Sequence, residues 1–450
     1  PLGEDDVLQP MSKSAAMQEA ILNSFNYARL GHGGFRTLTA LVDRCECSRL
    51  HYADTEGALR LLKDIPAPSG LKGRTVIERP RKAPSARGNA ASLTSAAADP
   101  SREPSLLCKV WRRPETAASL SPQRWARLLA ESRATGLTAR LALQLESRGL
   151  ADSDLPDEIR PHFHGALTAA EQHRRQMRWE LRLLERDLGE ALASTEPMLL
   201  KGCAYLASDL PQAEGRLYND IDLLVSRDRL GQAEAHLKDA AWRFETDDTR
   251  QIAYFRRWMH ELPLMLHDER RAKLDLHHDL LPAIDPMSVD IDALRAEAVR
   301  PVPNSPWLAP SPRDMLIHVA LNLFRHGDFR KGLRDLMDFD GLLRHYGSSP
   351  DFGRDVVERT EAWSVCGPMY FAFRYAGRRL GTVVPEAIRG RLRSWRPAWP
   401  PSSLMDRVVD AALGPPTPTA PNRAMMAARA IMLNHPLCLW KKTILPKLKR

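Results

Sequence analysis

At 450 residues the chain has room for two or three domains and for a core that needs no disulfide or metal staple. A formal net charge of +9 selects anionic partners as a class, whether nucleic acid, phosphate-bearing substrates or an anionic membrane surface. Six cysteines are too sparse for a disulfide framework, and Cys45-x-Cys47 lacks the second pair of a structural zinc site, so a reducing cytoplasm is expected.

The chain opens Pro1-Leu2-Gly3 without an initiator methionine, so a processed, tagged or internally started product is expected. From Met17 to about Ile65, apolar Ile21, Leu22, Phe25, Leu30, Phe35, Leu38, Leu41 and Val42 recur at helical spacing, which predicts a small folded piece over 1–65. Residues 66–117 change character. Pro66, Pro68, Pro80, Pro84, Pro100 and Pro104 punctuate an Ala/Ser-rich stretch carrying Lys72, Arg74, Arg79, Arg81, Lys82 and Arg87, the composition of a disordered basic linker.

Helical spacing returns over 118–196, from Ser121-Pro122 through Trp125, Leu128 and Leu129 to an amphipathic run from Ala166 to Leu192. Over 197–300, short buried strands are predicted at Pro197 to Leu200 and Ile221 to Val225, with a helix from Arg229 to Ala241 capped by Asp228. Two more strands, Leu262 to Leu266 and Ala272 to His277, flank a polar turn at His267 to Arg271. Residues 301–450 read as helical, notably Pro312 to Arg325 and Lys331 to His345, and end in the basic tail Lys441 to Arg450. No internal repeat is seen. No apolar run reaches the ~18–20 residues of a membrane span, and no signal sequence opens the chain.

Chemistry concentrates in Leu200-Lys201-Gly202-Cys203 and in Arg216-Leu217-Tyr218-Asn219-Asp220-Ile221-Asp222-Leu223-Leu224-Val225. Successive strand side chains point to opposite faces, so Asp220 and Asp222 project together while Ile221 and Leu223 enter the core. Two carboxylates on one face repel each other unless a cation lies between them, and the hard, phosphate-bridging Mg2+ fits, as a pair of ions or with Mn2+ in its place. Asp275, between Leu274 and Leu276, is placed to complete the set as ligand or general base. Gly202 would let backbone approach a triphosphate, with Lys201 or Arg216 supplying positive charge.

Blander readings stand beside these. Asp-x-Asp is common by chance, a lone Asp275 is usually a solvated strand residue, and His260, His277 and His278 match no zinc signature. Neither a Gly-x-Ser-x-Gly elbow nor a P-loop is present, which removes the commonest hydrolase and kinase classes.

Taken together, Lys201-Gly202, Arg216 and Asp220-Ile221-Asp222 resemble, residue by residue, an uncharacterised bacterial nucleotidyltransferase family of the polymerase-beta-like superfamily. The resemblance extends over about 120–445. His260, the acid-x-histidine Asp275-Leu276-His277, and Arg334 and Asp338 one turn apart are similar to further features of that family. It implies an α+β fold, a small mixed sheet flanked by helices. It also implies metal binding by Asp220, Asp222 and Asp275, nucleotide binding by Lys201, Gly202, Cys203 and Arg216, and accessory roles for His260, His277, Arg334 and Asp338. Where the superfamily has Gly-Ser, this chain has Gly202-Cys203, and a thiol is the poorer phosphate partner. Ser24 to Tyr27, Gly34-Phe35, Leu41 to Cys47, Leu50 and Tyr52 resemble the C-terminal end of HPr kinase-related proteins of exosortase and exopolysaccharide clusters. That resemblance implies a fusion or gene read-through.

The expected activity is transfer of a nucleoside monophosphate from an NTP such as ATP to an acceptor hydroxyl or phosphate, with surface polysaccharide biosynthesis as its setting. A catalytically silent nucleotide sensor or scaffold is the second expectation. The third is binding of anionic membrane or nucleic acid through the linker and tail, with the membrane favoured over nucleic acid because Ile444, Leu445 and Leu448 interleave the basic residues. The expected location is the cytoplasm, peripheral to the inner membrane.

Overall fold

The computed structural model describes residues 7–11, 13, 47–51, 105–190, 195–283, 285, 287–302, 305–326, 329–398 and 402–413. The chain divides into two compact units, Pro1–Ala96 and Ala97–Arg450. In the first, strands β1 (Val7–Pro10) and β2 (Ser48–His51) pair antiparallel. Of the residues carrying the HPr kinase-like resemblance, all but Cys47 and Leu50 lie outside the described set, as does the tail 441–450.

The second unit is an α+β fold built on a five-stranded mixed sheet. Its strands are β3 (Met198–Leu199), β4 (Ile221–Leu224), β5 (Trp242–Phe244), β6 (Met265–His267) and β7 (Lys273–His277). They lie in the order β3-β4-β7-β6-β5. Only β4 and β7 run parallel, with Asp222 opposite Asp275. All four residues of β4 are buried, so this strand is covered on both faces.

Helices α1 (Leu106–Arg112), α2 (Pro122–Ala134), α3 (Thr138–Ser147) and α4 (Arg160–Leu188) precede the sheet. Proline at the first helical position and the Ser121 hydroxyl, which accepts from the Arg124 N–H, start α2 where the sequence places it. On α4 the buried Phe163, Ala170, Met177, Leu181, Leu184 and Leu188 form one stripe. Between strands lie α5 (Lys201–Ala207), α6 (Leu230–Asp239) and α7 (Thr249–Trp258). After β7 come α8 (Ile291–Ala296), α9 (Pro312–Leu321), α10 (Gly332–Tyr346), α11 (Pro350–Ala362), α12 (Cys366–Leu380), α13 (Glu386–Arg389), α14 (Leu392–Trp395) and α15 (Ser402–Ala412).

Several expectations shift. The linker expected over 66–117 ends earlier, because α1 buries Leu106, Leu107, Cys108, Val110 and Trp111. Asp228 does not cap α6: the N-cap position is Arg229, and no side chain bonds there. Strand β5 is too short, at three residues, for alternation to reveal it. The helix expected to run to Arg325 ends at Leu321 and continues as a π turn over Asn322–His326. Among the described residues no helix is long and apolar enough to cross a membrane.

Candidate active site

The parallel pairing of β4 and β7 sets the site. Period-two alternation sends Ile221 and Leu223 into the core, 1% and 0% exposed, and puts Asp220 and Asp222 on the opposite face. The register aligns Asp222 with Asp275, and His277 follows two residues on, so Asp220, Asp222, Asp275 and His277 share one face. Asp222 is buried, Asp275 half-buried, and Asp220 lies at the rim just before the strand begins.

Lys201 is the cation that meets Asp222 on this face. It opens α5 with a left-handed φ of 48°, and its Nζ donates to Asp222 Oδ1 at 2.7 Å. Burial alone would raise the Asp222 carboxyl. The Lys201 ammonium, with hydrogen bonds from His277 and from Lys201, overrides burial and holds the carboxyl well below the usual carboxylate range. Burial likewise works against the charge on Lys201, and the surrounding Asp222, Glu261 and Asp275 carboxylates outweigh it and hold the proton tightly. Asp275 behaves oppositely. Burial, then the charges of Glu261, Asp222 and Asp220, push it well above its ordinary value, with Lys201 as the opposing influence. The face therefore carries more negative charge than Lys201 neutralises, and its three acids, Asp220, Asp222 and Asp275, offer carboxylate oxygens. That donor chemistry fits a hard divalent cation such as Mg2+.

The other residues expected at the nucleotide lie differently. Arg216 is buried, and its Nη1 donates to Asp338 Oδ2 at 2.5 Å. Arg140 from α3 donates to the other oxygen, Oδ1, at 2.6 Å. Asp338 on α10 thus joins α3 to the loop before β4. Burial would raise its carboxyl, but Arg216 and Arg140 pull it below the ordinary range. A Cβ on Gly202 would come within 2.7 Å of Arg216 Nε, so the missing side chain makes room for this guanidinium. Cys203 is 1% exposed. Its thiol, pushed up mainly by burial, donates to the Asp220 carbonyl at 3.8 Å. Arg334 does not pair with Asp338 one turn away; it donates twice to its neighbour Asp335.

Three residues at the site escape a reading of the sequence. Arg140 sits in no motif. Lys331, from the turn Phe329–Lys331, brings its Nζ to 3.8 Å from Asp220 Oδ2. Glu261 joins the face because its segment bridges antiparallel to His277 at the end of β7. Its only signal was adjacency to His260. His277 Nε2 lies 3.2 Å from Asp222 Oδ1 and 3.5 Å from Glu261 Oε2, and His260 Nε2 lies 3.6 Å from the same Oε2. His278, directed off this face, is drawn down to about 4 by burial and by the nearby charges of Arg227, His277 and Arg256.

Among known proteins, no curated protein and no solved structure matches the chain. Residues 121–381, more than half of the 450-residue chain and inclusive of every strand of the mixed sheet, match the family described as uncharacterised nucleotidyltransferase, and the chain belongs to that family.

Proposed function

We propose that the chain transfers a nucleoside monophosphate from an NTP to an acceptor hydroxyl or phosphate, with release of pyrophosphate. The observation that carries this reading is the register of Asp222 against Asp275 on adjacent parallel strands, with Asp220 on the same face. Asp220, Asp222 and Asp275 would hold Mg2+ or Mn2+, and ions held there would neutralise the triphosphate and the departing pyrophosphate. Asp275 would serve as a ligand of such an ion or, ionised beside it, as the general base that takes the proton of the acceptor hydroxyl. Lys201 and Lys331, the two ammonium groups at the carboxylates, contact the phosphate chain. Arg216 and Asp338 act from behind, fixing the loop that enters β4.

The test is incubation with each labelled NTP and Mg2+, comparing the native chain with Asp220→Asn plus Asp222→Asn. Loss of label transfer and pyrophosphate release in the double variant, by about 10³-fold or more, is the expected result. Equal turnover by the variant would refute the assignment. A nucleotide-binding protein without turnover is the second reading. The burial of Cys203 and the commitment of Lys201 to Asp222 favour it, and its mark is Mg2+-dependent NTP binding with no pyrophosphate from any acceptor. Surface-polysaccharide precursors are the acceptors to offer first, and anionic vesicles with and without residues 441–450 test the expected peripheral attachment.

A further inference from the structure

We propose that His260, Glu261 and His277 form a binding site for a divalent transition-metal ion of the Zn2+ class, separate in composition from the all-carboxylate set of Asp220, Asp222 and Asp275. This goes beyond the nucleotidyl-transfer reading and does not depend on it, because the site is defined by its own ligands.

One potential ligand atom from each of the three residues lies within 4.8 Å of the other two. Glu261 Oε2 stands 3.5 Å from His277 Nε2 and 3.6 Å from His260 Nε2. Both separations exceed the roughly 2.7–3.2 Å of a good hydrogen bond. They approach the edge of about 3.4 Å that a tetrahedron with metal–ligand bonds of about 2.0–2.1 Å requires. Three donor atoms mutually within 4.8 Å, two of the separations near coordination spacing, describe a cradle better than they describe a mutual hydrogen-bond network.

Backbone pairing preforms this cradle. Glu261 bridges His277, the Leu262 N–H donates to the Leu276 carbonyl at 2.8 Å, and the His278 N–H donates to the His260 carbonyl at 2.9 Å. These bonds lock the 260–262 segment to the end of β7, so little backbone freedom remains to be lost on binding. His277 is 1% exposed and His260 8% exposed, while Glu261 is half-buried and leaves an approach.

Ligand type decides the ion. Two imidazoles with one carboxylate suit Zn2+ and other borderline transition ions, whereas Mg2+ prefers oxygen and tolerates poorly a site that supplies mainly nitrogen. His277 Nε2 also lies 3.2 Å from Asp222 Oδ1, so a metal bound here would replace that hydrogen bond with coordination, and the cradle adjoins the carboxylate face through this one side chain.

The experiment uses the full chain free of any histidine tag, stripped with EDTA and titrated with Co2+ as a visible surrogate for Zn2+. A d–d band of tetrahedral intensity should saturate at stoichiometric Co2+, yield to Zn2+, and withstand excess Mg2+. Glu261→Gln and His260→Asn should each weaken Co2+ binding by about 10-fold or more, while Asp220→Asn leaves the band in place. Circular dichroism identifies any variant that fails to fold, and the other then carries the test. The inference is overturned if no band forms, if Glu261→Gln and His260→Asn bind like the native chain, or if Asp220→Asn abolishes the band. A native chain that binds Co2+ in this pattern yet transfers no nucleotide leaves the metal site standing and removes only the nucleotidyl-transfer reading.

Discussion

Asp222 and Asp275 face each other across one strand gap, yet their surroundings drive them apart. Asp222 is held ionised by Lys201 and His277, and Asp275 resists ionisation because burial and three neighbouring carboxylates oppose it. Replacing Asp275 by Asn removes that resistance without changing shape. In EDTA at neutral pH, Asp275→Asn should therefore stabilise the chain by on the order of 1 kcal/mol, and Mg2+, which should stabilise the native chain against urea, should no longer do so. Urea unfolding with and without Mg2+ reads both effects; an Asp275→Asn chain less stable than native in EDTA would show that the site is not over-charged. Lys201→Met is the complementary change. It strands a buried carboxylate and should cost about 3 kcal/mol in EDTA, most of it regained with Mg2+, which replaces the lost positive charge. Failure of Mg2+ to restore stability would mean that Asp222 is closed to cations. That Asp220, Asp222 and Asp275 share one face was legible in the sequence because strand period two is a local rule and their apolar neighbours announce the buried face. Glu261 and Lys331 were not, since only the pairing of a loop with β7 and the turn before α10 bring them to the face.

Between elements, a buried tie is the Arg140–Asp338–Arg216 cluster, whose three side chains are almost fully buried and which joins α3, the loop before β4, and α10. Two guanidiniums on one carboxylate satisfy both its oxygens, and removing the carboxylate leaves two buried cations opposed. Asp338→Asn should destabilise the chain by about 3–5 kcal/mol at neutral pH. The pH dependence follows from the depressed Asp338 carboxyl. Its stabilising contribution is fully present above the unfolded value of about 4 and is lost as pH falls through the lower folded value. The gap between native and variant should thus hold from neutrality to about pH 4 and close below it; a gap unchanged in acid would contradict the assignment. Gly202→Ala presses on the same cluster, because its Cβ would meet Arg216 Nε at 2.7 Å. A cost of about 1–3 kcal/mol is expected in denaturant titration, and a stabilised Gly202→Ala chain would refute the packing role. Proximity along the chain suggested a different arrangement, with Arg334 one turn from Asp338. The partners of Asp338 lie 198 and 122 residues away, and no periodicity or local spacing reports a contact of that range.

At the scale of the molecule, the family match spans 121–381, but the folded unit extends beyond both ends of it. Upstream, α1 buries five side chains and packs on α2 and α12. The Trp111 indole N–H donates to Asp340 Oδ2 at 3.3 Å, and Thr382, one residue past the match, donates to Asp340 Oδ1 at 2.7 Å. Gly381, left-handed at φ 70°, ends α12 against the Arg112 side chain, where a Cβ would come within 2.9 Å of Cγ. The Pro/Ala/Ser composition from which a linker is expected over 66–117 hides this helix, whose seven residues are too few for periodicity to stand out. Chains beginning at Ser105 and at Ser121 separate the two boundaries. The first retains α1 and should melt as cooperatively as the full second unit. The second uncovers the apolar faces of α2 and α12 and removes one donor from the buried Asp340, at a cost on the order of 5 kcal/mol, a large share of the ~5–15 kcal/mol that holds a domain together. Thermal unfolding with light scattering should show a lower, aggregation-prone transition for the Ser121 chain; equal melting of the two would place the boundary of the fold at the family match and make α1 an appendage.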